Sequence, residues 1–411
     1  MTTGSGAGAA AHAVDGAGLR DGGAGERGGG ARPAFDVAPT RIERELVLAV
    51  AGGRDEAVLD ALARTRLYVL TPRLHADVPG WTPPLPTIRD GATGRVCVPV
   101  LTPGVLPQWH PEWVFREMGL GTLARTWPYD VRHLAVNHGS PSAVLLDARP
   151  RRLRAWLKAE ARSGGPREGV LLTDAGGPLR GPLAHGLALG AHLAVHNGLV
   201  WNRLGAVYQD YATDRARLSR PWGVEHRAEY RGRLDSLMKY RLVGRVQETV
   251  LRTRCALAAR LGRAPAVEEW SEAVDRAFAG RAGADRAEAA EALRRVVRYE
   301  ERFRADGVLA PDGRVDTLAA FDLGRAVNVV RLALGARYGD PREAEQDVLR
   351  LGELARRAYP SWAAFSLGYL LARLVHCDDA DAGERAYRDS LAQHRVLTED
   401  PASPFRNIPW S

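Results

Sequence analysis

Three histidines recur at helical spacing in the middle of the chain. His185, His192 and His196 are seven and four residues apart, so a helix places them on one face. The pair four residues apart has a spacing that metal ligands use, although no glutamate follows His192 as in the His-Glu-x-x-His zinc motif. The pattern leaves two interpretations open, a metal-dependent enzyme and imidazoles packed against a neighbouring helix, and we expect the second.

A second group of polar residues lies on a helix that apolar periodicity predicts between residues 317 and 338. An aspartate and an arginine three residues apart can pair there, and glycines recur at helical steps. Glycine inside a helix costs about 1 kcal/mol relative to alanine, which is usually tolerated where another group approaches the backbone. The face predicts either a site for a polar partner or buried contacts between helices. Its members are Asp322, Gly324, Arg325, Asn328 and Arg331.

A later helix, predicted over residues 362–376, carries a matching face. An unpaired arginine inside a helical bundle is costly, so Asp322 is the natural partner for one of the arginines on these two helices. We assign both faces to one candidate binding site for a protein or peptide. The later helix contributes Trp362, Phe365, Tyr369 and Arg373.

No nucleophile with a neighbouring base accompanies these faces. The sequence contains no Gly-x-Ser-x-Gly turn, no Walker-type phosphate loop and no dinucleotide-binding fingerprint. We therefore predict no catalytic residue and no cofactor, and the three histidines are the main basis for an enzyme.

The basic excess is concentrated in the middle of the chain. Residues 146–220 carry 12 basic and 6 acidic side chains, against a net charge of +8 for the whole chain. One cluster at the start of a predicted helix is suited to binding an anion or nucleic acid. We expect a solvated helix face instead, because no nucleic-acid-binding fold accompanies it. The cluster is Arg149, Arg151, Arg152, Arg154 and Lys158.

The cysteines and the most apolar segment indicate the cellular compartment of the protein. Cys97, Cys255 and Cys377 are far apart in sequence and odd in number, which predicts no disulfide framework and favours a reducing cytoplasm. The most apolar helix, predicted over residues 182–208, includes three histidines and an arginine, so we predict no membrane span. The sequence does not indicate the oligomeric state.

A chain of 411 residues suggests two domains. Residues 1–38 form a Gly/Ala-rich tail that we expect to be disordered. Residues 39–162 predict an α+β domain with a mostly antiparallel sheet and flanking helices. Residues 163–220 predict a connecting segment that is largely helical. Residues 221–411 show no strand pattern and predict an all-α domain of about six helices.

Within the α+β domain, short apolar runs predict the strands. They fall at residues 67–70, 96–100, 134–137 and 143–146. Residues 112–123 are predicted to be helical. The strand residues Leu67-Tyr68-Val69, Val96-Cys97-Val98-Pro99-Val100 and Leu134-Ala135-Val136-Asn137 give this part a spacing similar to that of the N-terminal domain of SseB-like bacterial proteins. The resemblance implies an α+β fold and no catalytic residues.

The C-terminal half resembles the bacterial domain of unknown function numbered 1266. The resemblance implies a helical fold and a shared face, and no activity. It rests on Asp322-Leu323-Gly324-Arg325-Ala326-Val327-Asn328 with Arg331, on Trp362, Phe365, Tyr369 and Arg373, and on Ser403-Pro404-Phe405 with Ile408-Pro409-Trp410.

These observations favour a cytoplasmic, non-enzymatic interaction or adaptor protein whose partner is a protein or peptide. A metal-dependent enzyme that uses His185, His192 and His196 is one alternative. Binding of nucleic acid or another anion between Arg149 and Lys158 is the other.

Overall fold

An α/β part is followed by a helical part in the computed structural model of this chain. The structure describes residues 40–76, 78, 81–107, 110, 112–165, 169–174, 176–205, 211–376 and 383–411. The tail predicted over residues 1–38 lies outside the described residues. No helix among them is long and apolar enough to cross a membrane.

The α/β part consists of short strands and helices that alternate along the chain. Its strands are rich in valine and leucine, which fit a pleated and half-buried surface. The elements are α1 (Arg41–Ala51), α2 (Asp55–Ala63), β1 (Leu67–Pro72), α3 (Arg73–Ala76), β2 (Ile88–Arg89), β3 (Val96–Val100), β4 (Trp113–Met118), α4 (Leu120–Arg125), β5 (His133–Val136), β6 (Val144–Asp147) and α5 (Pro150–Ser163).

The strands form two small sheets. β1 pairs with β4, and the other sheet has the order β2-β3-β5-β6. The pair β3–β5 is parallel and the remaining pairs are antiparallel. A parallel pair needs a crossover, and β4 and α4 lie in the connection between β3 and β5. Tyr68 and Leu101 exchange backbone hydrogen bonds of 2.9 Å that join the two sheets.

The prediction of a helix over residues 112–123 is wrong in its first half. Residues Trp113–Met118 form β4, which pairs with β1 along six positions, and helix begins only at Leu120. A short run of Trp, Val and Phe does not distinguish a strand from a buried helix by periodicity alone. The pairing with β1 decides between them.

Buried Glu43 ties α1 to the sheet. Its carboxylate accepts hydrogen bonds from the backbone N–H groups of Thr40 (3.0 Å) and Gly104 (3.1 Å) and from the hydroxyl groups of Thr40 and Thr102. Thr40 in turn caps α1 by accepting from the N–H of Ile42. A carboxylate that accepts four hydrogen bonds is tolerated at full burial.

The helix predicted over residues 182–208 is shorter and broken. It forms α6 (Gly181–Ala188) and α7 (Ala191–Asn197), and α7 ends at Gly198, whose φ of +58° is left-handed. Glycine adopts that conformation without a steric penalty. The helix α8 (Tyr211–Trp222) follows, and the buried side chains of α6 and α7 belong to the core of the helical part.

The remaining described elements are all helices, which confirms the prediction of an all-α C-terminal half. Local signals set several boundaries. Asp340, for example, caps α14 by accepting from the N–H groups of Arg342 and Glu343. The helices are α9 (Arg227–Met238), α10 (Arg245–Leu261), α11 (Val267–Phe278), α12 (Gly283–Ala305), α13 (Ala319–Gly335), α14 (Pro341–Ala358), α15 (Trp362–His376), α16 (Gly383–Glu399) and α17 (Pro404–Asn407).

Two large hydrophobic cores follow this division, and a small third cluster lies between the sheet and the helices. One core belongs to the α/β part and the other extends from α6 to α17. The third cluster contains Tyr68, Leu106, Phe115, Leu172 and Val200. An α+β part followed by an all-α part is therefore the observed fold class, as the sequence predicts.

The crossing of α6 and α14 requires a glycine. A Cβ atom built on Gly186 would lie 2.3 Å from the backbone carbonyl oxygen of Val348. We predict that Gly186→Ala lowers the free energy of unfolding by about 3 kcal/mol, because the two helix backbones must separate. Chemical denaturation of the full chain measures this loss.

Gly232→Ala is the matched control. Gly232 is an exposed glycine inside α9, and a Cβ built on it meets nothing within 4 Å. This substitution should raise stability by up to about 1 kcal/mol through helix propensity. Equal destabilisation by both variants would contradict the close packing of α6 on α14.

Candidate functional site

Asp322 holds the segment between α9 and α10 against α13. Its carboxylate is fully buried, and one oxygen accepts from the backbone N–H groups of Leu242 (2.9 Å) and Val243 (3.1 Å). The other oxygen pairs with Arg325, so Arg325 is the arginine that takes the partner role predicted for Asp322. Burial raises the pKa of this carboxyl, while Arg325 and the two N–H groups act in the opposite direction.

Gly324 allows two other elements to approach α13. A Cβ atom at this position would lie 2.8 Å from the carbonyl oxygen of Leu189 and 2.9 Å from the ring of Tyr369. The close approach expected from this glycine is therefore present. The approaching groups come from the chain itself, and Gly324 is buried beneath them.

Arg331 is buried at the junction of the helical part and the α/β part. Its side chain is 5% exposed, and one terminal nitrogen donates 2.7 Å to the carbonyl oxygen of Val200. Burial lowers its pKa to about 10, and the charge of nearby Arg203 acts in the same direction. No carboxylate among the described residues forms an ion pair with Arg331.

Trp362 and Phe365 pack against the last described residues of the chain. Trp362 stacks on Phe405 at a centroid distance of 4.4 Å, and its indole N–H donates 2.8 Å to the carbonyl oxygen of Ile408. Phe365 is fully buried and contacts Phe405 edge-on. These aromatic residues fix the C-terminal segment on α15.

Tyr369 and Arg373 face α7 from the same helix. The ring of Tyr369 stacks on His192 at 4.2 Å with an interplanar angle of 10°. Arg373 is partly buried, and its charge helps to lower the pKa of His192, after the larger effects of burial and of His394. This end of the predicted face lies between helices.

The three predicted metal-ligand candidates have separate surroundings. His185 lies between the rings of Trp362 (4.8 Å) and Trp410 (5.2 Å). His192 is 2.9 Å from the hydroxyl of Ser366, and His196 is 3.1 Å from the amide of Gln393. No group of three or more His, Cys, Asp or Glu within the described ranges has an arrangement that could hold a metal ion.

Ser366 lies between two buried imidazoles. Its hydroxyl oxygen is 2.9 Å from Nε2 of His192 and 2.8 Å from Nδ1 of His394, so one chain of hydrogen bonds crosses α7, α15 and α16. Burial lowers the pKa of His394 to about 4 and lowers that of His192 well below its ordinary value. All three side chains are nearly inaccessible to solvent, which makes this a packing network.

Arg325 and Asn328 are the members of the predicted face that line an open cleft. The cleft has a volume of about 630 Å³ and is bounded by α7, α8, α13 and the residue before β1. Trp222 closes one end beside Arg325, whose guanidinium also lies 4.0 Å over the ring of Phe321. We call it the arginine cleft. Its described lining residues are Arg66, Leu193, Asn197, Leu199, Ala216, Arg217, Arg220, Pro221, Trp222, Arg325, Asn328 and Leu332.

The carboxylates that pair with these arginines lie beneath the cleft wall. Asp322 and Asp214 are fully buried, and the Glu117 side chain, which pairs with Arg66, is 11% exposed. Arg220 is exposed and forms no ion pair with a described residue. The cleft therefore presents hydrogen-bond donors and positive charge to a ligand.

The basic cluster on α5 faces solvent. Trp156 and Ala159 bury the opposite side of this helix, while Arg151, Arg154 and Lys158 are exposed. Arg149 pairs with Asp147, and Arg152 lies 3.8 Å from Asp55. This is the arrangement of a solvated helix surface.

Sequence reasoning missed the part of the cleft that α8 supplies. Residues 163–220 were predicted as a largely helical connecting segment without a site residue, yet α8 supplies Arg217 and Arg220 to the cleft and accommodates Pro221 in its last turn. Arg217 and Arg220 are three residues apart, and that helical spacing was the available signal. Ser366 and His394 had no such signal, because each is a single polar residue whose partners are distant in sequence.

Residues 217–410 match the family model described as a protein of unknown function (DUF1266). This confirms the resemblance for the C-terminal half. The DUF1266 segment contains the predicted face, whereas the part of the arginine cleft from Arg66 to Ala216 precedes it. No curated protein and no solved structure matches the chain. The resemblance of the N-terminal half to SseB stays a prediction.

The contacts of Asp322 predict a large difference between two neighbours on α13. Asp322→Ala should lower the free energy of unfolding by about 3 kcal/mol, because it leaves two N–H groups and the part-buried guanidinium of Arg325 without their acceptor. Asn328→Ala, at the cleft surface, should change it by less than about 0.5 kcal/mol. Urea denaturation monitored by circular dichroism distinguishes the two. Equal losses would contradict the separation of the face into a buried and a cleft-lining part.

The buried imidazoles predict that stability falls in mild acid. Burial lowers the pKa values of His185 and His394 to about 4, from the 6.5 of an unfolded chain. The folded state therefore binds fewer protons, so stability is fully present above pH 6.5 and is lost as the pH falls toward 4. Each of these histidines should cost about 2 kcal/mol between pH 7 and pH 5.

A single substitution isolates this effect. His394→Asn keeps a hydrogen-bonding group near Nδ1 and should remove about 2 kcal/mol of the loss between pH 7 and pH 5. His75→Asn, at an exposed position, is the control for loss of an imidazole. Denaturant titrations at each pH measure both variants. An unchanged pH dependence in His394→Asn would contradict the assignment.

Proposed function

We propose that this protein is a non-enzymatic interaction module that binds an acidic peptide segment of a partner protein in the arginine cleft. The observation that supports the proposal is the composition of the cleft wall, which combines four arginines and two asparagines with an indole and aliphatic side chains. In this proposal Arg325 and Asn328 contact the peptide, and the buried residues of the predicted face hold them in position.

The charge of the cleft favours carboxylates as ligands. Arginine presents a planar fork of donors that matches a carboxylate in two hydrogen bonds. Arg220 has no described ion-pair partner, and Arg217 is 3.8 Å from Asp214, which is a loose pair. Both guanidiniums are therefore available to an incoming acid.

The apolar residues favour a peptide over a small inorganic anion. Trp222, Leu193, Leu199 and Leu332 share the cleft with the arginines. Aromatic and arginine side chains are the residues that most often carry the binding energy of protein interfaces. A peptide segment with one or two acidic residues beside an apolar side chain complements both the arginines and the apolar residues of the cleft.

The same wall argues against catalysis in the cleft. Its described lining residues include no carboxylate, imidazole, thiol or hydroxyl group, so they supply neither a nucleophile nor a general base. The histidines considered for metal binding lie elsewhere, in packing contacts.

The proposal includes the domain organisation and the cellular location that the sequence predicts. Residues 39–162 and 221–411 act as two domains, and residues 163–220 supply α7 and α8 to the cleft. We place the protein in a bacterial cytoplasm, because its cysteines are widely spaced and the resemblances are to bacterial proteins.

Binding of designed peptides tests the proposal. We expect labelled peptides that combine glutamates with one leucine or tryptophan to bind the wild-type protein, and peptides with lysine in place of each glutamate not to bind. Fluorescence anisotropy measures the affinity at several salt concentrations. Arg220→Gln should weaken binding about tenfold, the loss expected for one charge-assisted hydrogen bond.

A matched control separates the cleft from general basicity. Arg151→Gln removes one exposed arginine from α5 and should leave peptide affinity unchanged. Asn328→Ala should weaken binding with the fold intact, as its circular dichroism spectrum reports. Equal binding of acidic and lysine peptides, or equal effects of Arg151→Gln and Arg220→Gln, would overturn the proposal.

A further inference from the structure

A cluster of buried hydrogen-bond donors lies behind the arginine cleft, between the sheet and the helices. Arg331 on α13 is 5% exposed, and Arg203, which follows α7, is 2% exposed. The charge of Arg203 helps to lower the pKa of Arg331. Burying two cations close together is unfavourable unless anionic or hydrogen-bonding groups compensate.

Arg203 uses only part of its donor capacity. Its Nε donates 2.6 Å to Asp174, and its guanidinium carbon lies 4.4 Å over the ring of Phe115. Both terminal nitrogens are buried and have no hydrogen-bond acceptor among the described residues. In Arg331, Nε is buried without an acceptor in the same way.

Tyr68 adds a neutral donor to the cluster. It is 1% exposed, and its hydroxyl has no hydrogen-bond partner among the described residues. Tyr68 packs in one cluster with Phe115 and Val200, Arg203 lies over the ring of Phe115, and Arg331 donates to the carbonyl of Val200, which locates the three groups near one another. Burial raises the pKa of Tyr68, so its hydroxyl keeps its proton and remains a donor at neutral pH.

The carboxylates of this region already have partners. Asp174 accepts from Arg203 and from the N–H of Gly176, and one oxygen of Glu117 accepts from Arg66 at 2.8 Å. The second oxygen of Glu117 is buried without a hydrogen-bond donor, and the charge of Glu117 helps to raise the pKa of Tyr68. Asp174 pairs with Arg203 and Glu117 pairs with Arg66, whereas no carboxylate among the described residues pairs with Arg331.

We propose that Arg203, Arg331 and Tyr68 form an internal binding site for a small oxyanion of the phosphate or sulfate class. Such an anion supplies the acceptors that the unpartnered N–H and O–H groups require and balances the remaining guanidinium charge. The site lies in the third hydrophobic cluster, with Phe115, Leu172 and Val200 around it. In these apolar surroundings charge-assisted hydrogen bonds are strong.

The site joins the two parts of the molecule. Tyr68 lies on β1, Arg331 lies on α13, and Arg203 follows α7. An anion bound by all three therefore stabilises the junction of the sheet and the helices. The site is separate from the peptide proposed for the arginine cleft, whose described lining residues include none of these three side chains.

Anion content and thermal stability test the proposal on the full chain. We expect about one equivalent of phosphate or sulfate per protein, counted by ion chromatography of the denatured protein after dialysis against each anion and gel filtration. The melting temperature should rise with the concentration of either anion at constant ionic strength, relative to chloride. No retained anion together with no rise beyond chloride would overturn the proposal.

Two variants separate specific binding from the general stabilising effect of these salts. Arg331→Met removes the unbalanced charge and should abolish both the retained anion and the specific part of the rise. Tyr68→Phe removes only a hydroxyl, so it tests the site even if Arg331→Met does not fold, and it should weaken binding by about tenfold. If Tyr68→Phe and a folded Arg331→Met both bind the anion as tightly as the wild-type protein does, the proposed site is overturned.

Arg220→Met is the matched arginine control in the cleft. It should retain the internal anion while losing affinity for acidic peptides. Loss of peptide binding with the anion retained would leave the internal site standing, and loss of the anion with peptide binding intact would leave the cleft standing. The two proposals are thus tested independently.

Discussion

The burial of α13 is the constraint on which the helical part depends. Fifteen of its 17 residues are buried, so each polar side chain on it must find its partner inside the protein or in the wall of a cleft. Asp322 finds two backbone N–H groups and Arg325, while Arg331 finds one carbonyl oxygen. The polar residues of α13 therefore hold neighbouring segments of the chain in place.

Periodicity predicted the helices well because their apolar stripes are long. The stripe of α13 and the aromatic residues of α15 indicated both the helices and the faces that pack. The segment Trp113–Met118 was predicted wrongly as helix. Its strand conformation depends on pairing with β1, which is distant in sequence, and a run of six residues carries no local signal for that pairing. The predicted helix was also too long, because α7 ends where Gly198 adopts a left-handed conformation.

The candidate site was predictable in part. Residue types showed that Arg325 and Asn328 lie on a polar face, but whether a position on a buried helix opens to solvent depends on the elements packed around it. Trp222 and Arg220 reach the arginine cleft from α8, and Arg66 reaches it from the α/β part. The guanidinium of Arg66 also donates 3.0 Å to the carbonyl oxygen of Asn197, which fixes that wall.

The position of Ser366 between two imidazoles has a consequence for proton placement. A hydroxyl has one proton, so it donates to one ring nitrogen and accepts from the other. If His192 carries its proton on Nε2, His394 must leave Nδ1 bare, and the reverse arrangement exchanges both assignments. The tautomers of two rings on separate helices are therefore coupled, and they can change only together.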